Sequence, residues 1–214
     1  MRGVAAGLGV GLVAAGLSRA LGRRWMAEWG ATPVETQHPL TGDELIADPA
    51  DTTTRAVTIH APADEVWRWL VQIGTDRGGW YSYDRLERLA GVPVHTTDEV
   101  RDEWQHLAVG DRVCLAPPGW MGTPKGMVLP VAQLVDGESI VLRQQPPDSP
   151  WESVWSFHVR PLDSGSCRLL IRSRTARPRG WGRVPSAAMA LVMDPVTFAM
   201  ERRMLLGIKE RAER

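Results

Sequence analysis

Polar and apolar residues alternate through Arg55-Ala56-Val57-Thr58-Ile59-His60, a period of two that predicts a half-buried strand beginning at Thr54. Ala61-Pro62-Ala63-Asp64-Glu65 then reads as a helix start, with Pro in the first turn and acids opposing the helix dipole. Val66, Leu70 and Ile73 form its buried stripe, and Gly74 and Gly78-Gly79 stop it. Ser82 to Leu89 predicts a second short helix with Leu86 and Leu89 on one side. From about residue 109 the pattern turns to strands: Asp111–Leu115, then Met127–Leu134, where Pro130 marks an edge or a bulge. The Asp136-Gly137 turn joins the latter to Ser139–Arg143 as a hairpin. In Glu152–Arg160, Trp155, Phe157 and Val159 face one way, while Val154, Ser156, His158 and Arg160 face the other. Cys167, Leu169 and Ile171 share a face of the next strand. The chain closes in a helix from Val196 to about Ala212. Val196, Met200, Met204 and Ile208 line one face of it, and Glu201, Arg202, Lys209 and Glu210 turn mostly to solvent.

The order is strand, two short helices, an antiparallel series of strands and one long amphipathic helix. An antiparallel sheet has a face to cover, and the long helix is the large element available to cover it. The expected fold is α+β: a curved antiparallel sheet gripping a C-terminal helix, with the short helices shutting one end. Methionines on the facing side pack adaptably, and such a sheet tends to leave space beneath its helix.

Ahead of this domain (residues 54–214) lie a connector rich in Pro, Thr, Asp and Gly (30–53) and an apolar segment (1–29). From Gly3 to Leu17 every residue is Gly, Ala, Val or Leu, followed by Ser18, Arg19, Arg23, Arg24, Trp25 and Trp29. Three readings compete for this run. A short membrane anchor suits the arginines and tryptophans behind it, and the positive-inside rule then puts the domain on the cytoplasmic side. A secretory signal suits the small residues of Ser18-Arg19-Ala20, although the basic flank follows the run instead of preceding it. The third is a mobile apolar tail.

Charge narrows the function. Lys+Arg and Asp+Glu both number 25, so no long-range field draws in nucleic acid. Cys114 and Cys167 sit in strand-like runs and match no metal-ligand spacing, which favours buried free thiols, with pairing of the two as the alternative in an exported domain. His38, His60, His95, His106 and His158 are scattered, with no metal motif and no nucleophile motif, so neither a metal nor another cofactor is expected. His158 reads as an exterior residue of its strand. Asp84 and Arg143 are the acid–base candidates for an enzyme. The ten Trp stand against two Tyr and two Phe, a balance that suits plain cores, cavity walls and water–lipid boundaries.

The run Trp80-Tyr81-Ser82-Tyr83-Asp84 holds both tyrosines beside a Trp and a carboxylate, where the short helices meet the sheet. Such groups beside an apolar pocket would orient a polar ligand head. Equally, Asp84 would cap the helix while the rings fill the seam. Trp120, Trp151 and Trp181 each lie in a Pro/Gly loop with Lys125, Arg177, Arg179 and Arg183 near in sequence. They read either as membrane-contacting loops or as lids folded back on the domain.

Several runs carry a family resemblance: Ile59-His60-Ala61-Pro62 with Glu65-Val66-Trp67; Gly78-Gly79-Trp80-Tyr81-Ser82-Tyr83-Asp84 with Leu86-Glu87; Glu103-Trp104; and Met200-Glu201-Arg202-Arg203-Met204-Leu205 with Gly207-Ile208-Lys209. Over about residues 40–212 the chain resembles the START-like (SRPBCC) helix-grip superfamily of Bet v 1-type allergens, lipid-transfer domains and polyketide cyclases. The resemblance implies a seven-stranded sheet around a hydrophobic pocket, with Trp80, Tyr81, Tyr83, Asp84, Trp104, Trp155, Phe157, Met200 and Met204 as candidate lining. It implies no particular reaction. The expected partner is a small hydrophobic molecule or lipid, with a membrane surface as a second contact. Non-catalytic binding or transport is the leading expectation. A cyclase or dehydratase-type enzyme and a protein-interaction module with a vestigial pocket are the alternatives.

Overall fold

Six antiparallel strands form one sheet in the order β1-β6-β5-β4-β3-β2. They are β1 Pro49–Ile59, β2 Arg112–Ala116, β3 Met127–Val135, β4 Ser139–Gln144, β5 Ser153–Asp163 and β6 Ser166–Ala176. This is a computed structural model describing residues 21–120, 123, 125–145, 152–177 and 183–214, with 183–192 by backbone alone. The expected anchor run, and Trp151 and Trp181, lie outside the described residues. Where the resemblance implied seven strands, six are present among the described residues. The strand pattern is otherwise as read, except that β1 starts at Pro49 and not at Thr54. Bulges between Val131 and Gln133 and between Cys114 and Ala116 bend the β2–β3–β4 side, beside Pro130, which has no N–H to give to the ladder.

Across one face of this sheet runs the closing helix, Arg183–Ala212. Met204, Leu205 and Ile208 are buried against Phe157, Val159, Leu169 and Ile171 of the sheet and Val66, Leu70 and Ile73 of the Ala63–Val71 helix. Burial of a Leu or Ile of this kind is worth roughly 1.5–3 kcal/mol. This is a helix-grip arrangement. The helix starts well before the expected Val196 and carries Pro195 in its interior. Val196, expected on the buried face, is exposed, and Glu201, expected in solvent, is buried.

The opposite face of the sheet is covered too, by the expected connector. Thr32 and Glu35 cap the Pro33–Gln37 helix reciprocally, Glu35 N donating to Thr32 Oγ1 (3.2 Å) and Thr32 N to Glu35 Oε2 (2.7 Å). Arg168 holds Glu35 with two 2.8 Å hydrogen bonds. Arg172 reaches Asp43 Oδ2 (2.6 Å) and the carbonyls of Glu35, Thr36 and His38. Ile46 packs on Val141 and Val154. His158 does face away from Trp155 and Phe157, but this covering leaves it buried, not exterior. Burial, and then the charges of Arg160 and Arg172, push its imidazole down to about 4.

Cys114 and Cys167 are free thiols, and burial pushes Cys167 up to about 11. Among the described residues no helix is long and apolar enough to cross a membrane.

Candidate functional site

The Gly78–Asp84 turn follows the first short helix and is pressed against the closing helix. Tyr81 takes a left-handed conformation (φ 53°), uncommon for a bulky residue. Its hydroxyl donates to Trp69 O (3.1 Å) and accepts from Gln72 Nε2 (2.9 Å). Burial pushes that phenol above its ordinary range. Gly207 makes the close approach feasible: a Cβ there would stand 2.1 Å from Tyr81 O.

From this turn the side chains divide. Trp80 points inward, its ring 5.4 Å from that of Trp155, which in turn lies 4.7 Å from Phe157. With Met204 they belong to the principal core. The Trp80 indole N–H is buried with no acceptor among the protein groups. Tyr81 belongs to that core too, but with Tyr83 and Asp84 it also borders an open cleft of about 510 Å³, walled by Ser82, Thr96 and Arg203. Asp84 accepts from Thr96 N (3.0 Å) and Thr96 Oγ1 (2.5 Å), so it clamps the neighbouring loop. Met200 sits at the seam, its sulfur 3.5 Å from Ser82 Oγ. Trp104 is not brought to this place; it lies in the Asp102–Trp104 turn with the Arg101 guanidinium 4.8 Å over its ring.

Of the three arginines that line the cleft, Arg203 and Arg211 are committed, and among the described residues Arg85 is not. Arg203 forms two hydrogen bonds with Glu210 (2.6 and 2.9 Å). Arg211 stacks 5.1 Å over Tyr81 and contacts Asp98 (2.9 Å) and Thr97 O (3.0 Å). A second open concavity, about 480 Å³, lies on the other side of the sheet between the connector and Arg172 and Arg174. Neither hollow lies between the closing helix and the sheet, where the sequence led us to expect space.

Two acids are missing from the expected set. Glu87 belongs to the second short helix, Asp84–Leu89, which is turned opposite to its apolar pattern: Leu86 and Leu89 are exposed and Glu87 is only 6% exposed. Both of its carboxylate oxygens lack a hydrogen-bond partner. Burial, then the Asp84 charge, push this acid up to about 7. Glu201 lies under the closing helix in contact with Arg55 and accepts from Ser173 Oγ (3.3 Å). Burial raises its carboxyl, while Arg55, Ser173 and the Trp155 indole draw it back. Neither inward turn was visible in a helical pattern that favours the neighbouring leucines and methionines. Arg143, an expected acid–base candidate, is paired with Glu152 at 2.5 Å.

Trp120 folds back, its indole N–H donating to Ala90 O (2.8 Å) and its ring packed on the core. Among the described residues no group of three or more His, Cys, Asp or Glu could hold a metal ion.

No family model matches the chain, and no curated protein matches it. Similar solved structures include the di-domain ARO/CYC BexL of the BE-7585A biosynthetic pathway, at 20% identity and TM-score 0.44 over 76% of this chain; the match spans 46% of that protein, less than half its length. A protein from Chromobacterium violaceum is 16% identical over 76% of this chain and 97% of its own, with TM-score 0.44. Truncated norcoclaurine synthase from Thalictrum flavum is 13% identical over 75% and 91%, with TM-score 0.42. All are distant likenesses, and none fixes a ligand or a reaction for this chain.

Proposed function

We propose that the protein binds a small, largely apolar molecule with a hydrogen-bond-accepting head at the Trp80–Asp84 turn. The observation that carries this reading is Trp80. Its indole is 4% exposed and stacked on Trp155, one residue from the wall of the cleft, and its N–H has no protein acceptor. Buried Trp N–H groups usually find a partner, and leaving one unmade costs about 1–3 kcal/mol. A ligand carbonyl or hydroxyl reaching past Tyr81 would supply it, with the aromatic stack as the apolar floor.

Native mass spectrometry of the full chain purified from its own organism tests the proposal. A small-molecule adduct is expected, and Trp80→Phe, which keeps the ring and removes the N–H, should weaken its retention about fivefold for the loss of about 1 kcal/mol. Absence of any adduct, or equal retention by both proteins, would reject this site.

Glu87 favours a second reading, an enzyme of the cyclase or dehydratase kind. A buried carboxyl titrating near 7 is matched to proton transfer at neutral pH. Under that reading the retained molecule is chemically altered over time by the parent protein and stays unaltered with Glu87→Gln. Under simple binding the molecule is recovered unchanged from both.

A further inference from the structure

The closing helix is about 45 Å long at 1.5 Å per residue, and among its described side chains, residues 193–212, the apolar ones buried in the core are Met204, Leu205 and Ile208. Between Met193 and Ala199 most positions are exposed, Met193 and Val196 included. Upstream, from Val184 to Met193, the sequence carries no charged residue. Pro195 has no N–H to give to the carbonyl of Leu191, so the helix loses a backbone hydrogen bond where this uncharged stretch ends.

A second helical stretch, residues 21–27, lies alongside. Arg23 meets Asp194 at 3.0 Å, Trp25 meets Phe198 edge-to-face at 5.1 Å, and Trp29 meets Phe198 at 6.4 Å with Arg202 5.0 Å over its ring. The partners advance together along both chains, so the two stretches run in the same direction. Arg55 fixes the pair by donating to Met26 O (2.8 Å), and Trp29 O accepts from Ala56 N (3.0 Å). At the leading end of this pair Leu21 is 68% exposed and Trp25 57% exposed, beside Met193 and Val196.

We infer that this end, formed by Leu21, Trp25, Met193 and Val196, is a docking face for the surface of an anionic lipid bilayer. Three observations favour a bilayer as occupant. In the sequence this end follows closely on a run from Gly3 to Leu17 made only of Gly, Ala, Val and Leu. Arg19, Arg23 and Arg24 follow that run in sequence, and Arg24, its side chain 75% exposed and paired with Glu28 one turn on (3.1 Å), can exchange that partner for a lipid phosphate. Trp25 combines an apolar ring with a polar N–H, the chemistry of the water–lipid boundary. No described helix is long and apolar enough to cross a membrane, so the contact inferred is with the bilayer surface. This face is separate from the cleft, and its test does not depend on what the cleft binds.

The test is flotation of the full chain with vesicles of phosphatidylcholine alone and of phosphatidylcholine with phosphatidylglycerol. The parent should float with the anionic vesicles more than with the neutral ones. Trp25→Ser/Met193→Ser/Val196→Ser should lower the partition about tenfold or more with an unchanged melting temperature. Should that variant lose its fold, Val196→Asp alone, at a half-exposed position, gives the same reading. Unchanged flotation of the folded variants would show that the Gly3–Leu17 run acts without this face and would overturn the inference. So would failure of the parent to float, or a dimer, formed without vesicles, that the variants abolish, since a second copy would then be the occupant.

Discussion

Gly207→Ala is expected to destabilise the protein, although the same change at an ordinary helical position stabilises. Gly sits inside the closing helix, where Ala is better by about 1 kcal/mol. Against this, the new Cβ would lie 2.1 Å from Tyr81 O and 3.0 Å from Tyr81 C and Cβ. Non-bonded carbon and oxygen approach to about 3.3 Å, so the turn must retreat by about 1 Å. It cannot do so cheaply: Tyr81 is fully buried, already left-handed, and tied through its hydroxyl to Trp69 and Gln72. Overpacking of this kind costs about 1–3 kcal/mol and more where backbone is the obstacle. Taking about 3 kcal/mol for the clash, the balance is a loss of about 2 kcal/mol, or about 4–8 °C in melting temperature for a chain of this size. Thermal unfolding and guanidinium titration both read it, and retention of the bound molecule should fall alongside because the shifted turn forms the cleft wall. A Gly207→Ala protein as stable as the parent, or more stable, would refute the argument that close contact governs this residue.

Other expectations rest on buried charge. Arg55→Met should cost about 3–5 kcal/mol by leaving Glu201 unpaired, and Arg55→Met/Glu201→Leu should recover most of that in a chemical denaturation cycle. Limited proteolysis within residues 21–30 should quicken in both, since Arg55 also holds Met26 O. Glu87 titrates at about 7 in the folded protein against 4.5 ordinarily, so folding favours its protonated form. Stability should therefore fall as pH rises from about 4.5 to 7, by roughly 3 kcal/mol in all, and Glu87→Gln should flatten that slope in denaturation at pH 5 and pH 8. His158 has the opposite dependence. Its imidazole is held at about 4 against 6.5, so its contribution is present above 6.5 and lost as pH falls toward 4, and His158→Gln should remove that part of the acid sensitivity.

The alternating runs of β1, β5 and β6 and the Val66, Leu70, Ile73 stripe were legible because local period and burial agree there. Glu201 was not, since the partner that allows its burial, Arg55, is 146 residues away. The start of the closing helix was hidden by Pro195 and by an uncharged stretch with no polar face to set a period. The connector's packing did leave a sign in Thr32-Pro33-Val34-Glu35, a capping-box spacing with Pro in the first turn. What it covers could not be read, because the arginines that hold it, Arg168 and Arg172, look like ordinary outward residues of a strand. At the cleft, the motif run named neighbouring residues but not their division of labour, in which Trp80 goes inward and Asp84 is spent on Thr96.

The position of β1 at the sheet margin sets the order in which the molecule can be assembled. Its one partner strand is β6, with Thr54 beside Arg172, so the first strand made by the ribosome waits for the last. Residues 21–46 wait as well, for Arg168, Arg172 and Phe198. Until then a long strand with four Thr has both margins free, which invites pairing with other chains. Slow maturation and a demand on chaperones during synthesis follow from that wiring.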